Sequence, residues 1–324
     1  MSSKTTFAEI SPSEYRTLYE GGMSIDEIAT KAGRSYTFVR TRLIESGVVL
    51  RTKADGTRAY VAHHPEWSKQ FVKYEVTDGG RLFEEKALLL AMVVTEGYTD
   101  ATSFGFTNTQ EMLHADFGKL VDEVYGHVRI GRNGITSRVS SIAIAQDLSR
   151  LLPAKAFSND VLRFIIGSPT TLVKVLRIIA NTEGAMIIAI KRAKHNFTVE
   201  SRIVLASSNL GFTKQIGILL ASLGVECRIS KVGVVINKKS QIAHFIEMVG
   251  FSPGVRVVRK KAGESIWYGF EKRGLQKLFL RISEEQEHAR ASGLRGCFAD
   301  CSTKELTKQR LQNWYAEVNG GGSN

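Results

Sequence analysis

Two glutamates, Glu96 and Glu183, each end the same kind of run. Leu89 to Gly97 reads Leu-Leu-Ala-Met-Val-Val-Thr-Glu-Gly, and 87 residues later Leu176 to Gly184 reads Leu-Arg-Ile-Ile-Ala-Asn-Thr-Glu-Gly. The stretches from Leu88 to Val94 and from Leu172 to Ala180 are long and rich enough in apolar residues to predict buried helices. A left-handed glycine at Gly97 and Gly184 would close each helix. Both glutamates then fall in a last turn, where the helix dipole already disfavours negative charge. Two carboxylates brought together across such a helix pair repel, and one is driven to hold its proton unless a cation is shared. Oxygen ligands with no His or Cys beside them suit Mg²⁺ better than zinc. Paired metals can stabilise both the attacking and the leaving oxygen of a phosphodiester displacement.

Composition narrows the partners of such a site. Of 324 residues, 44 are Lys or Arg and 32 are Asp or Glu, a net charge of +12 that points to a polyanion. Three cysteines, Cys227, Cys297 and Cys301, are too few for a disulfide framework, and no His or Cys group has zinc-ligand spacing. No apolar run approaches the length of a membrane span, and Met1 to Ile10 lacks the regions of a signal peptide. The expectation is a cytoplasmic, nucleoid-associated protein with no membrane partner.

The elements that must position the glutamates follow in order. Ser13 to Gly21, Ile25 to Ala32 behind the cap Ser24, and a helix from Ser35 predict a trihelical unit with Gly33 at its turn. This order resembles the helix-turn-helix of site-specific recombinases and small regulators, whose third helix enters the major groove. Phe38, Val39, Leu43 and Ile44 are expected inward. Under that resemblance Arg34, Tyr36, Thr37, Arg40 and Arg42 contact phosphates and base edges. Arg51 to Tyr60 reads as a small hairpin around Asp55-Gly56, His63 to Lys73 as a connector, and Asp78-Gly79-Gly80 as a boundary.

From Glu84 the chain reads as a repeat: helix, two strands, helix, two strands, helix, twice over. Phe117-Gly118-Lys119-Leu120 sets against Ile216-Gly217-Ile218-Leu219, and Val128-Arg129-Ile130 against Cys227-Arg228-Ile229. The offset has grown to 99 residues there. The second copy therefore carries about twelve extra residues, most simply in a longer first hairpin between Ala189 and Ile203. Arg129, Arg132, Arg138, Lys191, Arg192, Lys194, Arg202, Arg228, Lys231, Lys238 and Lys239 fall on predicted strands or their ends, where they can neutralise phosphates and read base edges. Two closing helices, Leu275 to Ala291 and Ser302 to Val318 with Ser302 as N-cap, are expected to pack on the second copy, followed by a glycine-rich tail.

Two such units, each opening on a nine-residue run that ends acidic-Gly, resemble the LAGLIDADG homing endonucleases in their single-chain, two-motif form. The resemblance covers about Leu82 to Phe279. It implies an α+β fold, two pseudo-twofold αββαββα repeats forming a saddle over duplex DNA, behind an all-α helix-turn-helix domain. The domains would be 1–80 for the helix-turn-helix and connector, 81–170 and 171–274 for the repeats, and 275–324 for the C-terminal helices and tail. It further implies a monomer that cuts double-stranded DNA with Mg²⁺ held at Glu96 and Glu183 beside Gly97 and Gly184. The family also uses basic residues late in each repeat, for which Lys261 is the counterpart, with Lys155 a weaker one. Ala91 and Ile178 depart from the small glycine that the family places where the helices meet. The same double repeat with a helix-turn-helix occurs in the sporulation regulator family WhiA, so a catalytically inactive transcription regulator is an alternative. An RNA splicing maturase, with structured RNA as partner, is another.

Overall fold

The computed structural model describes residues 11–52, 55, 56, 59, 81–192, 197–258, 266–294 and 296–320. The chain divides into two compact units, Met1–Glu75 and Val76–Asn324. The expected connector, the boundary at 78–80, Lys194, Lys261 and the end of the tail lie outside the described residues.

Capping builds the first unit. Helix α1 (Pro12–Glu20) starts on Ser11, whose side chain accepts from the Glu14 N–H while the Glu14 carboxylate accepts from the Ser11 N–H. Helix α2 (Ile25–Ala32) repeats the device with Ser24 and Glu27. Gly33 then takes φ 60, and the Arg34 N–H returns to the Ala29 carbonyl at 3.0 Å, which ends α2 and turns the chain. Ser35 caps α3 (Tyr36–Glu45). Tyr15, Tyr19, Ile25, Ile28, Ala29, Ala32, Val39 and Leu43 form the core. Ile44, expected inward, is 48% exposed, because the two fully buried positions of α3 are Val39 and Leu43. Among the described residues of the expected hairpin, Asp55 and Gly56 do not form its turn. Those two residues are helical, with the Gly56 N–H donating to the Thr52 carbonyl and Thr52 Oγ1 accepting from the Asp55 N–H.

The second unit contains the repeat. Its first copy runs α4 (Glu84–Glu96), β1 (Gly97–Thr99), β2 (Ser103–Thr107), α5 (Glu111–Tyr125), β3 (Ile130–Asn133), β4 (Thr136–Ser140) and α6 (Ile142–Leu151). Helix α7 (Asn159–Gly167), capped by Ser158 and not anticipated from the sequence, leads to the second copy. That copy runs α8 (Pro169–Glu183), β5 (Gly184–Arg192), β6 (Phe197–Ala206), α9 (Leu210–Ser222), β7 (Arg228–Ser230), β8 (Gly233–Ile236) and α10 (Lys239–Met248). Both sheets are antiparallel, in the orders β1-β2-β4-β3 and β5-β6-β8-β7. Gly118 on α5 faces the Cδ1 of Ile130 as Gly217 on α9 faces that of Ile229, so aligned residues make the same contact in each copy.

One face of each sheet meets helices and makes the core. Phe104 and Phe106 of β2 pack on Phe117 of α5, with ring centroids 5.9 and 5.5 Å apart. Ile203, Leu205, Val234 and Ile236 are fully buried in the second sheet. A buried ion pair, Lys86 Nζ to Asp147 at 2.7 Å, joins α4 to α6, and the Tyr125 hydroxyl donates to the same carboxylate. Helices α11 (Lys272–Ala291) and α12 (Lys304–Val318) pack on the second sheet through β5. The N-cap of α12 is Thr303 rather than the expected Ser302, because Thr303 Oγ1 accepts the Leu306 N–H. Among the described residues no helix is long and apolar enough to cross a membrane.

Candidate catalytic centre and nucleic-acid interface

The two motif helices α4 and α8 pack against each other, and their apolar runs lie in the interior, with Leu89 through Val94, Leu176, Ile179 and Ala180 all buried. At the opposite end of the pair from the glutamates, Glu84 of α4 binds Lys174 and the Thr171 hydroxyl of α8. The glutamate ends are built alike. Thr95 Oγ1 donates back to the Ala91 and Met92 carbonyls, and Thr182 Oγ1 to those of Ile178 and Ile179. Glu96 and Glu183 are the last helical residues, and each helix passes into a strand with no loop between.

That direct passage corrects the expected role of the glycines. Gly97 has φ −107 and ψ −176, and Gly184 has φ −82 and ψ 145, extended conformations open to any residue. What demands glycine is space. A Cβ on Gly97 would stand 2.6 Å from the Val93 carbonyl oxygen and 2.7 Å from that of Gly105, and one on Gly184 would stand 2.3 Å from that of Ala180. Only a bare backbone can turn from helix to strand this tightly.

A buried cation accompanies the carboxylates. Lys272, the first residue of α11, is 5% exposed, and its Nζ donates to the Asn181 carbonyl at 2.7 Å and the Ala180 carbonyl at 3.4 Å. It thereby satisfies the end of α8, where orphan carbonyls concentrate negative potential. The Phe251 ring lies under the ammonium at 5.5 Å. Burial pushes Lys272 down to about 8, and the Glu96 and Glu183 carboxylates both oppose that fall. One cation thus feels both glutamates. Residues after α10 hold the arrangement, through Arg177 Nε to the Val249 carbonyl and a two-way exchange between Asn181 and Ser252.

Lys272 was not singled out in the sequence. Lysine at a helix start reads as a solvated residue, and only the aromatic surroundings, from Trp267 to Phe270, hinted at burial. Lys155, the weaker basic counterpart, is exposed, and Asn209 holds its carbonyl. Among the described residues no group of three or more His, Cys, Asp or Glu could hold a metal. Two glutamates alone suit a cation that keeps its waters and completes its shell with substrate phosphate oxygens, as Mg²⁺ does. The donor set fits that ion.

The uncovered sheet faces sort the basic residues. Register places Arg138 beside Gly105 and Gly131 on the face opposite the buried Val139, and Arg138 is exposed. Arg132 lies instead on the helix-covered side at the edge, and its guanidinium grips both Glu111 oxygens at 3.0 and 2.9 Å. It therefore does not stand on the open sheet face. Arg129 is exposed just before β3. In the second sheet Lys191, Arg202 and Arg228 share the open face, Arg192 ends β5, and Lys231 sits exposed in the β7–β8 turn. Lys238 pairs with Glu226, and Lys239 binds Gln286. In the first unit Tyr36, Thr37 and Arg40 project from α3 into solvent. Arg34 and Arg42 lie over the Phe38 ring, each 5.3 Å from its centroid, and Arg42 also pairs with Glu45.

Residues 11–58 match the family model described as a helix-turn-helix domain. Among solved structures the chain is similar to I-DmoI in complex with DNA and Mn, with 16% identity, 52% of this chain and 96% of that chain covered, and a TM-score of 0.36. It is also similar to I-SmaMI bound to uncleaved DNA target in the presence of calcium ions, with 10% identity, coverage of 74% and 99%, and a TM-score of 0.40. A third is the LAGLIDADG meganuclease I-AabMI bound to uncleaved DNA, with 10% identity, coverage of 72% and 98%, and a TM-score of 0.42. No curated protein matches the chain.

Proposed function

We propose that this chain is a sequence-specific double-stranded DNA endonuclease of the homing type, hydrolysing phosphodiesters with Mg²⁺ at Glu96 and Glu183. The observation that supports the reading is the packing of the two motif helices α4 and α8 against each other, each ending on a glutamate at the entrance to a strand. Bound there, Mg²⁺ would supply charge neutralisation at the scissile phosphates and a water activated for attack. The chain's own residues do the rest. Gly97 and Gly184 set the carboxylates at the strand entrances, Thr95 and Thr182 finish each last turn, and Lys272 fixes the end of α8. Arg138, Lys191, Arg202 and Arg228 on the uncovered sheet faces bind phosphates and base edges. Tyr36, Thr37 and Arg40 of α3 add major-groove contacts of their own.

A pool of random duplexes selected for binding to the full chain, then incubated with Mg²⁺, tests this. Cleavage of both strands that stops on chelation is the expected result. Tight binding with no cutting at any divalent ion would hand the reading to a regulator, and preference for folded RNA over every duplex would hand it to a maturase.

A further inference from the structure

The two repeats differ most in their first hairpins. Strands β1 and β2 pair over three rungs, Gly97–Thr99 against Phe104–Phe106. Strands β5 and β6 pair over nine, Gly184–Arg192 against Phe197–Leu205. Six extra rungs at roughly 3.4 Å each extend the second hairpin by about 20 Å. Along a duplex that is about six base pairs.

Charge follows length. No Lys, Arg or His occurs between Gly97 and Thr107, and the first hairpin turns on Asp100, whose carboxylate accepts from the Thr102 and Ser103 N–H groups. The second hairpin carries Arg202 midway and Lys191 and Arg192 at its far end. One acidic residue, Glu200, shares this face, 4.0 Å from Lys191. The extension is also supported from behind. Its covered side buries Ile188, next to Met186 at its base, and helices α11 and α12 pack on β5. The Trp267 indole N–H donates to the Ile188 carbonyl at 2.9 Å, closing part of the free edge of β5, while the Trp267 ring packs on Phe270 and Tyr315. A hairpin that projects beyond its sheet would otherwise leave an open edge and a wet apolar face. The C-terminal helices thus serve the long hairpin, and the short hairpin needs no equivalent.

We infer that the second repeat reads a DNA half-site up to about six base pairs longer than the first. This rests on the DNA-binding reading above. Footprinting on duplexes selected for binding by the full chain tests it, comparing wild type, the double variant Lys191→Ala/Arg202→Ala and the helix-turn-helix variant Arg40→Ala. All three side chains are exposed. The expected result is a protected arm that shortens and loses base preference in the double variant alone. The opposite arm should be unchanged, and the salt slope of binding should fall by about 2, one per phosphate contact removed. Arg40→Ala should weaken a separate stretch. Arms of equal length, or uniform weakening along the whole site in the double variant, would overturn the inference while leaving the DNA reading intact. A pool yielding no enriched duplex would overturn both.

Discussion

Lys272 makes pH a probe of the site. Its ordinary value is 10.5 and burial takes it to about 8 in the folded chain, against the pull of Glu96 and Glu183. Between those values the unfolded chain binds more protons than the folded one, so this residue makes stability rise with pH from about 8 to 10.5. Below about 8 the full cost of burying the charge is present. The interval is worth about 3 kcal/mol. Wild type should therefore gain about that much on Lys272→Met across the interval, measured by denaturant unfolding at a series of pH values. A difference between the two proteins that stays flat with pH would mean that Lys272 is not a charge buried in the fold. A second residue-scale expectation separates arginines that look alike in sequence. Arg138 stands on an uncovered face and Arg132 is held by Glu111. Arg138→Ala should lower the salt slope of DNA binding by about 1, and Arg132→Ala should leave it nearly unchanged.

At the scale of elements, the helix-to-strand junctions carry the most geometry. Gly184→Ala puts a methyl 2.3 Å from the Ala180 carbonyl oxygen. The junction can respond only by moving, at a cost of roughly 1–3 kcal/mol in unfolding free energy. Gly97→Ala should cost a similar amount. Gly167→Ala is the control, because nothing lies within 4 Å of its added Cβ, and it should be neutral or stabilise by up to about 1 kcal/mol. Equal effects at all three positions would show that crowding at the junctions is unimportant. The repeat was legible because it is written twice, and the periodicity of each copy checks the other. The insertion in the second hairpin was legible for the same reason. The junction glycines were found, but for the wrong cause: sequence announces that glycine can take unusual dihedrals and says nothing of how close the carbonyls of the preceding turn and of the next strand come. The segment around Asp55-Gly56 was misread because those residues suit a tight turn as well as a capped helical turn, and Thr52 decides in favour of the helix.

For the whole molecule, the surplus of 44 basic over 32 acidic residues was evident from composition, and it pointed to a polyanionic partner. Where that charge is usable was not. Lys86 is locked in the interior with Asp147, Lys272 is buried at the motif ends, and Arg132 is spoken for by an acid on another element. Each depends on a partner far along the chain, which no local pattern reports. The candidate centre was half visible for the same reason, since Glu96 and Glu183 advertise themselves by repetition and Lys272 does not. The central claim is that these two carboxylates act together, as metal ligands, on one duplex. Cleavage of a selected duplex with Mg²⁺ by wild type, Glu96→Gln and Glu183→Gln, with binding measured alongside, tests it most directly. Each amide variant should bind the duplex within a few-fold of wild type and lose double-strand cutting by at least about a hundredfold, the scale of removing one stabilising group. Full cutting by either variant would contradict the account.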